Sequence, residues 1–273
     1  MNAHHLNDLS SLSDVTLWTG GWDSTYRVLQ RAVLDETTVR PCYVVDRGRP
    51  SRGKEIDTMN RLLGRLSDSQ PEVAARIEPI RYIALEAIPP HREIEHAWRH
   101  LRDAYDIGTQ YEWLPRLAEA AGWTGVELSV YGGGRLRPMF GDHIRPVEQP
   151  DGGTVYALDA DAPEPQRLLF GRFVFPFWEL SKREAFARAD REGLAAILDA
   201  NTWFCFTPKN GKPCGTCRPC RFVVKDGLGD RIPVSGRVRY AAQQVRKAVG
   251  LRTRLRKFAA GQVRRFPGPP VTQ

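Results

Sequence analysis

No apolar run in this sequence approaches the 18 residues that a membrane-crossing helix needs. The first fourteen residues, Met1 to Asp14, are polar and hold no hydrophobic region resembling a signal peptide. No membrane partner is therefore expected, the expected location is the cytoplasm, and His4 and His5 read as solvated leader. Two common nucleotide fingerprints are also missing. There is no Gly-x-x-x-x-Gly-Lys-Ser/Thr loop, and no Gly-x-Gly-x-x-Gly follows a strand. Acidic residues stop at Asp230, after which eleven Lys and Arg run from Arg231 to Arg265. The net charge of +8 thus resides at that end, and residues 1–230 are mildly acidic. Such asymmetry points to an appendage that meets phosphates or an acidic partner.

Within 273 residues there is room for one large α/β domain, or for a domain with an appendage. An apolar content of 41% and seven Trp indicate a packed globular chain rather than a disordered one.

The stretch that organises the chain is Thr19-Gly20-Gly21-Trp22-Asp23-Ser24-Thr25. It follows Val15-Thr16-Leu17-Trp18, which reads as a buried strand, and precedes Val28, Leu29, Ala32 and Val33 at helical spacing. Two adjacent glycines allow a tight turn that brings backbone N–H groups close to a ligand. The hydroxyls of Thr19, Ser24 and Thr25 flank those amides. A helix N-terminus with free N–H groups is a natural seat for phosphate. Asp23 fits beside a phosphate once a divalent cation is supposed, since a carboxylate is its normal ligand. The plainer alternative is a Gly-Gly turn ahead of a capped helix.

Strands alternate with helices downstream. Residues 39–46 form a second strand, a helix covers about 54–67, and 77–85 form a third strand. Helical patterns cover about 91–105 and 111–121, and 126–131 form a fourth strand. This alternation argues for a parallel, doubly wound sheet. Arg47, Arg49 and Arg52 lie in a flexible loop at the end of strand two, where they either touch phosphate or lie on the surface. His91, His96 and His100 invite a metal reading but lack the His-Glu-x-x-His pattern, so surface positions are the simpler expectation. Residues 132–167, opening on Gly132-Gly133-Gly134-Arg135, read as a variable substrate-side insertion with some β structure.

Strong signal returns near the other end. Ser181 and Glu184 form a capping box, so a helix begins there and runs to about Leu198. Lys182 then sits in the first turn, where a cation opposes the helix dipole. Its placement makes sense if it reaches an anion; otherwise it is a solvated lysine. Cys205, Cys214, Cys217 and Cys220 follow within sixteen residues, with Pro213, Gly215 and Pro219 between them. In a chain expected to be cytoplasmic, such spacing indicates metal ligands over disulfides. Four thiolates suit a closed tetrahedral Zn²⁺ site, and an iron–sulfur cluster is the competing reading. Cys42 is left over and is expected to pack.

The glycine loop resembles the Ser-Gly-Gly-x-Asp-Ser loop of the PP-loop ATP pyrophosphatases, with Thr19 keeping the hydroxyl of the first Ser. Taken with the later motifs, the chain resembles one family over about residues 14–222, the 7-cyano-7-deazaguanine synthases of queuosine precursor synthesis (the QueC group). Their Pro-Leu-x-x-Leu-Thr-Lys-x-Glu segment is matched by Pro176-Phe177-Trp178-Glu179-Leu180-Ser181-Lys182-Arg183-Glu184. Their Thr-Trp-x-Cys-Tyr and Pro-Cys-Gly-x-Cys-x-x-Cys segments are matched by Thr202-Trp203-Phe204-Cys205-Phe206 and by Pro213-Cys214-Gly215-Thr216-Cys217-Arg218-Pro219-Cys220. Two segments depart. The family's Tyr-Gly-Gln-Arg after strand two is Asp46-Arg47-Gly48-Arg49 here, and its Tyr-Pro-Asp-Cys-Arg substrate segment has no counterpart.

The resemblance implies an α/β, Rossmann-like PP-loop fold: a parallel sheet with helices on both faces, plus a C-terminal zinc-binding lobe. The expected division is a polar leader 1–13, an ATP-binding domain 14–200 containing the insertion 132–167, a four-cysteine zinc lobe 201–230 and a basic tail 231–273. The implied activity is an ATP-dependent C–N ligase. It adenylates 7-carboxy-7-deazaguanine or a related acid, releases pyrophosphate, and forms an amide or nitrile with ammonia, or a conjugate with another amine. ATP and Mg²⁺ are expected at Thr19, Gly20, Gly21, Asp23, Ser24 and Thr25, with Val45 near the adenine and Gly108 in a polar loop beside the nucleotide. Asp23, Ser24 and Lys182 are the expected catalytic residues, Lys182 holding the departing pyrophosphate. Zn²⁺ is expected on Cys205, Cys214, Cys217 and Cys220. The rival reading is a PP-loop tRNA-modifying enzyme whose tail binds RNA. A non-catalytic module that binds zinc and nucleotide is a third, and a homodimer is the assembly considered.

Overall fold

The computed structural model describes residues 15–133, 136–149 and 153–263, with side chains as far as residue 249. Residues 1–14, which include the leader, lie outside the described residues, as do Gly134 and Arg135, Pro150 to Gly152, and 264–273 of the tail. The chain divides into two compact units, one ending at Trp203 and the other beginning at Phe204.

The first unit opens with β1 (Val15–Leu17), α1 (Trp22–Leu29), β2 (Arg40–Val45), α2 (Arg52–Ser69), α3 (Pro71–Ala75), β3 (Arg81–Ala84), α4 (Arg92–Tyr105), α5 (Gln110–Ala120) and β4 (Val126–Glu127). It continues with α6 (Leu136–Phe140), β5 (Ile144–Glu148), β6 (Thr154–Leu158), α7 (Glu164–Phe170), β7 (Phe173–Phe175), α8 (Lys182–Arg191) and α9 (Ala195–Ala200). The second unit contains α10 (Arg218–Lys225) and α11 (Val234–Val263). The basic stretch after Asp230 therefore shares a unit with the four clustered cysteines.

Seven strands form one sheet in the order β3-β2-β1-β4-β7-β6-β5. The first five of these run parallel to one another, with Val15 opposite Arg40 and Thr16 opposite Glu127. From β1 the chain winds outward through β2 to β3, then resumes on the other side at β4. The winding direction therefore reverses between β1 and β4, where a crevice opens at the carboxyl ends of parallel strands. Along β2, Cys42 and Val44 pack on one face of the sheet and Tyr43 and Val45 on the other. That alternation is the two-residue period of a strand buried on both sides. Helices α4, α5 and α7 cover the first face, and α1, α2, α8 and α9 cover the second.

Four expectations need adjustment. The sheet is mixed: β5 and β6 form an antiparallel hairpin that adds to β7, so the expected insertion 132–167 includes strands that extend the sheet at its edge. The third ladder begins only at Arg81, with Ile77 reduced to an isolated bridge, because Pro79 has no N–H to give. The fourth is brief because the Val130 amide turns back onto the Leu128 carbonyl, and Tyr131 regains the sheet only as a bridge to Phe177. The helix expected from Ser181 to Leu198 is broken into α8 and α9 by Gly193, whose φ of +73° lies in the left-handed region. No described helix is long and apolar enough to cross a membrane.

Candidate functional site

The loop between β1 and α1 is held from below. Gly20 has φ +66°, and a side chain there would place Cβ 2.8 Å from the Glu55 carbonyl oxygen on α2. Only glycine combines that backbone conformation with that close approach. Its own carbonyl accepts from the Trp203 amide at 2.8 Å. Ser24 closes the loop from inside: its Oγ accepts from the Thr19 amide at 3.1 Å and lies 3.1 Å from Thr19 Oγ1. Thr25 departs from the ligand-side position expected of it. Its side chain is fully buried, and its hydroxyl accepts from Trp18 Nε1 at 2.9 Å. Gly21 is the N-cap of α1 and no side chain caps the helix, so the first-turn amides keep their donors for a ligand.

Asp23, in that first turn, is the centre of the site. Its Oδ1 accepts from the Tyr131 hydroxyl at 2.8 Å and from Lys182 Nζ. Lys182 is the first residue of α8, and the capping box holds as expected: Ser181 Oγ accepts from the Glu184 amide at 3.2 Å, and the Ser181 amide donates to Glu184 at 2.7 Å. The dipole at this helix end disfavours a cation. The environment compensates, because the ammonium lies 4.6 Å from the Trp22 ring centroid and 5.2 Å from those of Tyr131 and Phe186. Burial, and then the Asp23 carboxylate, push the Tyr131 hydroxyl far above the usual tyrosine range, so it remains a donor. Asp23 and Lys182 were legible as loop and cap residues. Tyr131, Trp22 and Phe186 were not, although an aromatic closing the expected fourth strand was the available signal for Tyr131.

Surrounding ion pairs fix the crevice walls. Glu127 on β4 takes a fork from Arg27 on α1, at 2.9 Å from Nε and 2.7 Å from Nη2. Glu55 is buried and accepts from Tyr43 at 2.7 Å, from Ser51 at 2.7 Å and from Arg49 Nε at 2.8 Å. Arg49, one of the loop arginines considered for phosphate, therefore turns its Nε inward. Val45 lies at the carboxyl end of β2, beside β1. Gly108 is held in the α4–α5 link, its carbonyl accepting from Trp98 Nε1 at 3.1 Å, and no hydrogen bond joins it to the glycine loop among the described residues. His91 caps α4 by accepting from the Ile94 amide, and the three histidines form no metal group among the described residues.

In the second unit, Cys205, Cys214, Cys217 and Cys220 bring their Sγ atoms within 4.8 Å of one another, and none is in a disulfide. Tetrahedral coordination with metal–sulfur bonds of about 2.3 Å would set sulfurs about 3.8 Å apart. The Cys214–Cys220 and Cys205–Cys217 separations are both 3.9 Å. Outer contacts orient the ligands. The Cys214 amide donates to Cys205 at 3.2 Å, and the Thr216 and Cys217 amides and the Thr207 hydroxyl each reach Cys214 Sγ at 3.3 Å. Against the opposing effect of burial, those donors hold the Cys214 thiol below its ordinary value. These four residues could hold a metal ion, and their number and spacing are compatible with zinc. Cys42, by contrast, is buried in the sheet, where desolvation pushes its thiol up to about 12.

The class defined here is an α/β protein with a glycine loop at the reversal point of its mostly parallel sheet and, in a separate unit, four cysteines that could hold a metal ion. No family model matches the chain, and no curated protein sequence matches it.

Proposed function

We propose that this chain is an ATP-dependent ligase of the 7-cyano-7-deazaguanine synthase kind, with a PP-loop fold, activating a carboxylate at the crevice between β1 and β4. The observation that carries this reading is the meeting of Asp23, Lys182 and Tyr131 beside the uncapped N-terminus of α1. Triphosphate oxygens would lie against the first-turn amides and the Thr19 hydroxyl. Mg²⁺, held by Asp23, would screen their charge. Lys182 would exchange its contact with Asp23 for the β-phosphate, and the Tyr131 hydroxyl would keep the Asp23 carboxylate aimed at the loop. A substrate carboxylate oxygen then bonds to the α-phosphorus while the bond to the bridging oxygen breaks, and pyrophosphate leaves with the electron pair. Ammonia adds to the acyl carbon, AMP departs with the carbon–oxygen pair, and the nitrogen sheds a proton to give the amide. No protein nucleophile is needed, so the chain contributes position and charge. Zn²⁺ on the four cysteines would be structural, since protein fills every position.

The test is incubation of zinc-loaded protein with ATP, Mg²⁺ and 7-carboxy-7-deazaguanine, with and without ammonia, followed by mass spectrometry. Pyrophosphate, AMP and an amide or nitrile are expected. Asp23→Ala and Lys182→Ala should each lower turnover by about 10²-fold or more, the usual effect of deleting a charge-stabilising group. Pyrophosphate release with a different acid would keep the chemistry and change the substrate. Failure of the wild-type protein to bind ATP at all would overturn the reading.

A further inference from the structure

The first residues of two helices meet at the glycine-loop crevice: Trp22 opens α1 and Lys182 opens α8. Both helix ends carry positive dipole charge, and the ammonium adds a full one. Asp23 is the one carboxylate paired with Lys182 among the described residues. Three rings also surround the ammonium, with centroids at 4.6 Å for Trp22 and 5.2 Å for both Tyr131 and Phe186. Phe186 lies one turn beyond Lys182 on the same face of α8. Trp22 fills the position between Gly21 and Asp23, so the glycine loop itself carries part of this frame.

The rings are fixed by one another rather than by the lysine. Trp22 meets Phe186 edge-on at 4.3 Å and Tyr26 at 5.0 Å. Tyr131 stacks on Phe177 at 5.8 Å, and Phe177 stacks on Tyr26 at 5.3 Å. Trp22 is buried, whereas the Lys182 side chain is partly exposed on a flexible four-carbon stem. A carboxylate and an aromatic ring hold a cation in different ways. The carboxylate neutralises the charge, and Mg²⁺ at Asp23 would compete for it. A ring attracts through its quadrupole and leaves the charge intact. On the reading that Lys182 meets the phosphates of ATP, the rings are the partners that remain once a metal has taken Asp23. We propose that Trp22 and Phe186 are positioning residues. They hold the Lys182 ammonium beside the glycine loop, against the dipole of its own helix, with its charge available to a pyrophosphate group.

The experiment measures binding of magnesium pyrophosphate, and separately of magnesium ATP, to the full chain by calorimetry. Pyrophosphate probes the contact assigned to Lys182 and needs no acid substrate. Lys182→Met should weaken its binding about tenfold or more, the scale of a lost charge-assisted hydrogen bond. Trp22→Leu and Phe186→Leu should each weaken it about three- to tenfold, the scale of a desolvated cation–π contact. Trp22→Phe keeps a ring over the ammonium and should recover most of the loss. In a Lys182→Met background, neither Trp22→Leu nor Phe186→Leu should cause further loss. Circular dichroism and the urea midpoint identify folded variants, and the half-buried Phe186 carries the comparison if Trp22→Leu unfolds. Equal losses with and without Lys182 would show that the rings only pack the crevice wall, and would overturn the role. Unchanged binding in both ring variants would overturn it as well, as would a wild-type protein that binds ATP but not pyrophosphate. Each of these results, with ATP bound by the wild-type protein, leaves the proposed activation standing. Absence of ATP binding removes that reading and this inference together.

Discussion

The glycine-loop crevice and the cysteine cluster are built on opposite plans. The four thiols come from sixteen residues of chain, and short backbone-to-sulfur hydrogen bonds between near neighbours orient them. The crevice joins Asp23 to Tyr131, 108 positions away, and to Lys182, 159 positions away. A site of the first kind depends on local turns and on whatever ion binds the ligands. One of the second kind depends on the whole sheet being correctly wound. The two should therefore fail separately, and selective damage tests the comparison.

Removal of the metal proposed for the four cysteines should have the largest effect. Coordination by four thiolates in small domains contributes apparent energies of about 10 kcal/mol or more. Chelation, or Cys214→Ser, is expected to expose the chain after Phe204 to proteolysis and to reduce helical circular dichroism. Six of the seven tryptophans lie at or before Trp178 in the first unit, so with Trp203 replaced by Phe their fluorescence should be unchanged. A fluorescence change on chelation would break the separation.

The reciprocal damage is Glu127→Ala. It removes the carboxylate that Arg27 grips across α1 and β4, and loss of one member of a buried pair costs about 3 kcal/mol. The urea midpoint followed by tryptophan emission should fall, while bound metal per chain stays constant. Tyr131→Phe is milder: it deletes one hydrogen bond to Asp23 and should lower turnover of the proposed reaction several-fold, with a loss of stability of no more than about 1 kcal/mol.

The smallest effect is a dependence on alkaline pH in the first unit. Burial raises the hydroxyls of Tyr26, Tyr43 and Tyr131, reinforced by Glu192, Glu55 and Asp23 respectively. A raised folded value gives stability that is complete below the unfolded tyrosine value of about 10 and is lost as pH climbs above it. The urea midpoint should thus hold through neutral pH and decline beyond about pH 10, less steeply once the three are replaced by Phe. An equally steep decline in the triple variant would assign the pH dependence to other groups.

Legibility followed the same divide. Cysteine spacing, the Ser181–Glu184 box and the strand–glycine–helix order are short-range patterns, and each could be read directly. Tyr131 could not, because an aromatic at the end of an expected strand is ordinary until the fold sets it against Asp23 of α1. The inward turn of Thr25 was likewise hidden, since its partner Trp18 lies seven positions back across the loop. The β5–β6 hairpin gave only a weak signal, with β5 mostly exposed and interrupted by Pro146.

By itself the sequence determined where a tight glycine turn and a four-thiol knuckle had to form, because glycine conformations, helix caps and cysteine spacing act over a few residues. Only the tertiary structure decided what faces the turn. Reversal of the winding between β1 and β4 brings the chain after β4 and the start of α8 to the same carboxylate, and contacts across more than a hundred residues are set by sheet order and packing rather than by local pattern.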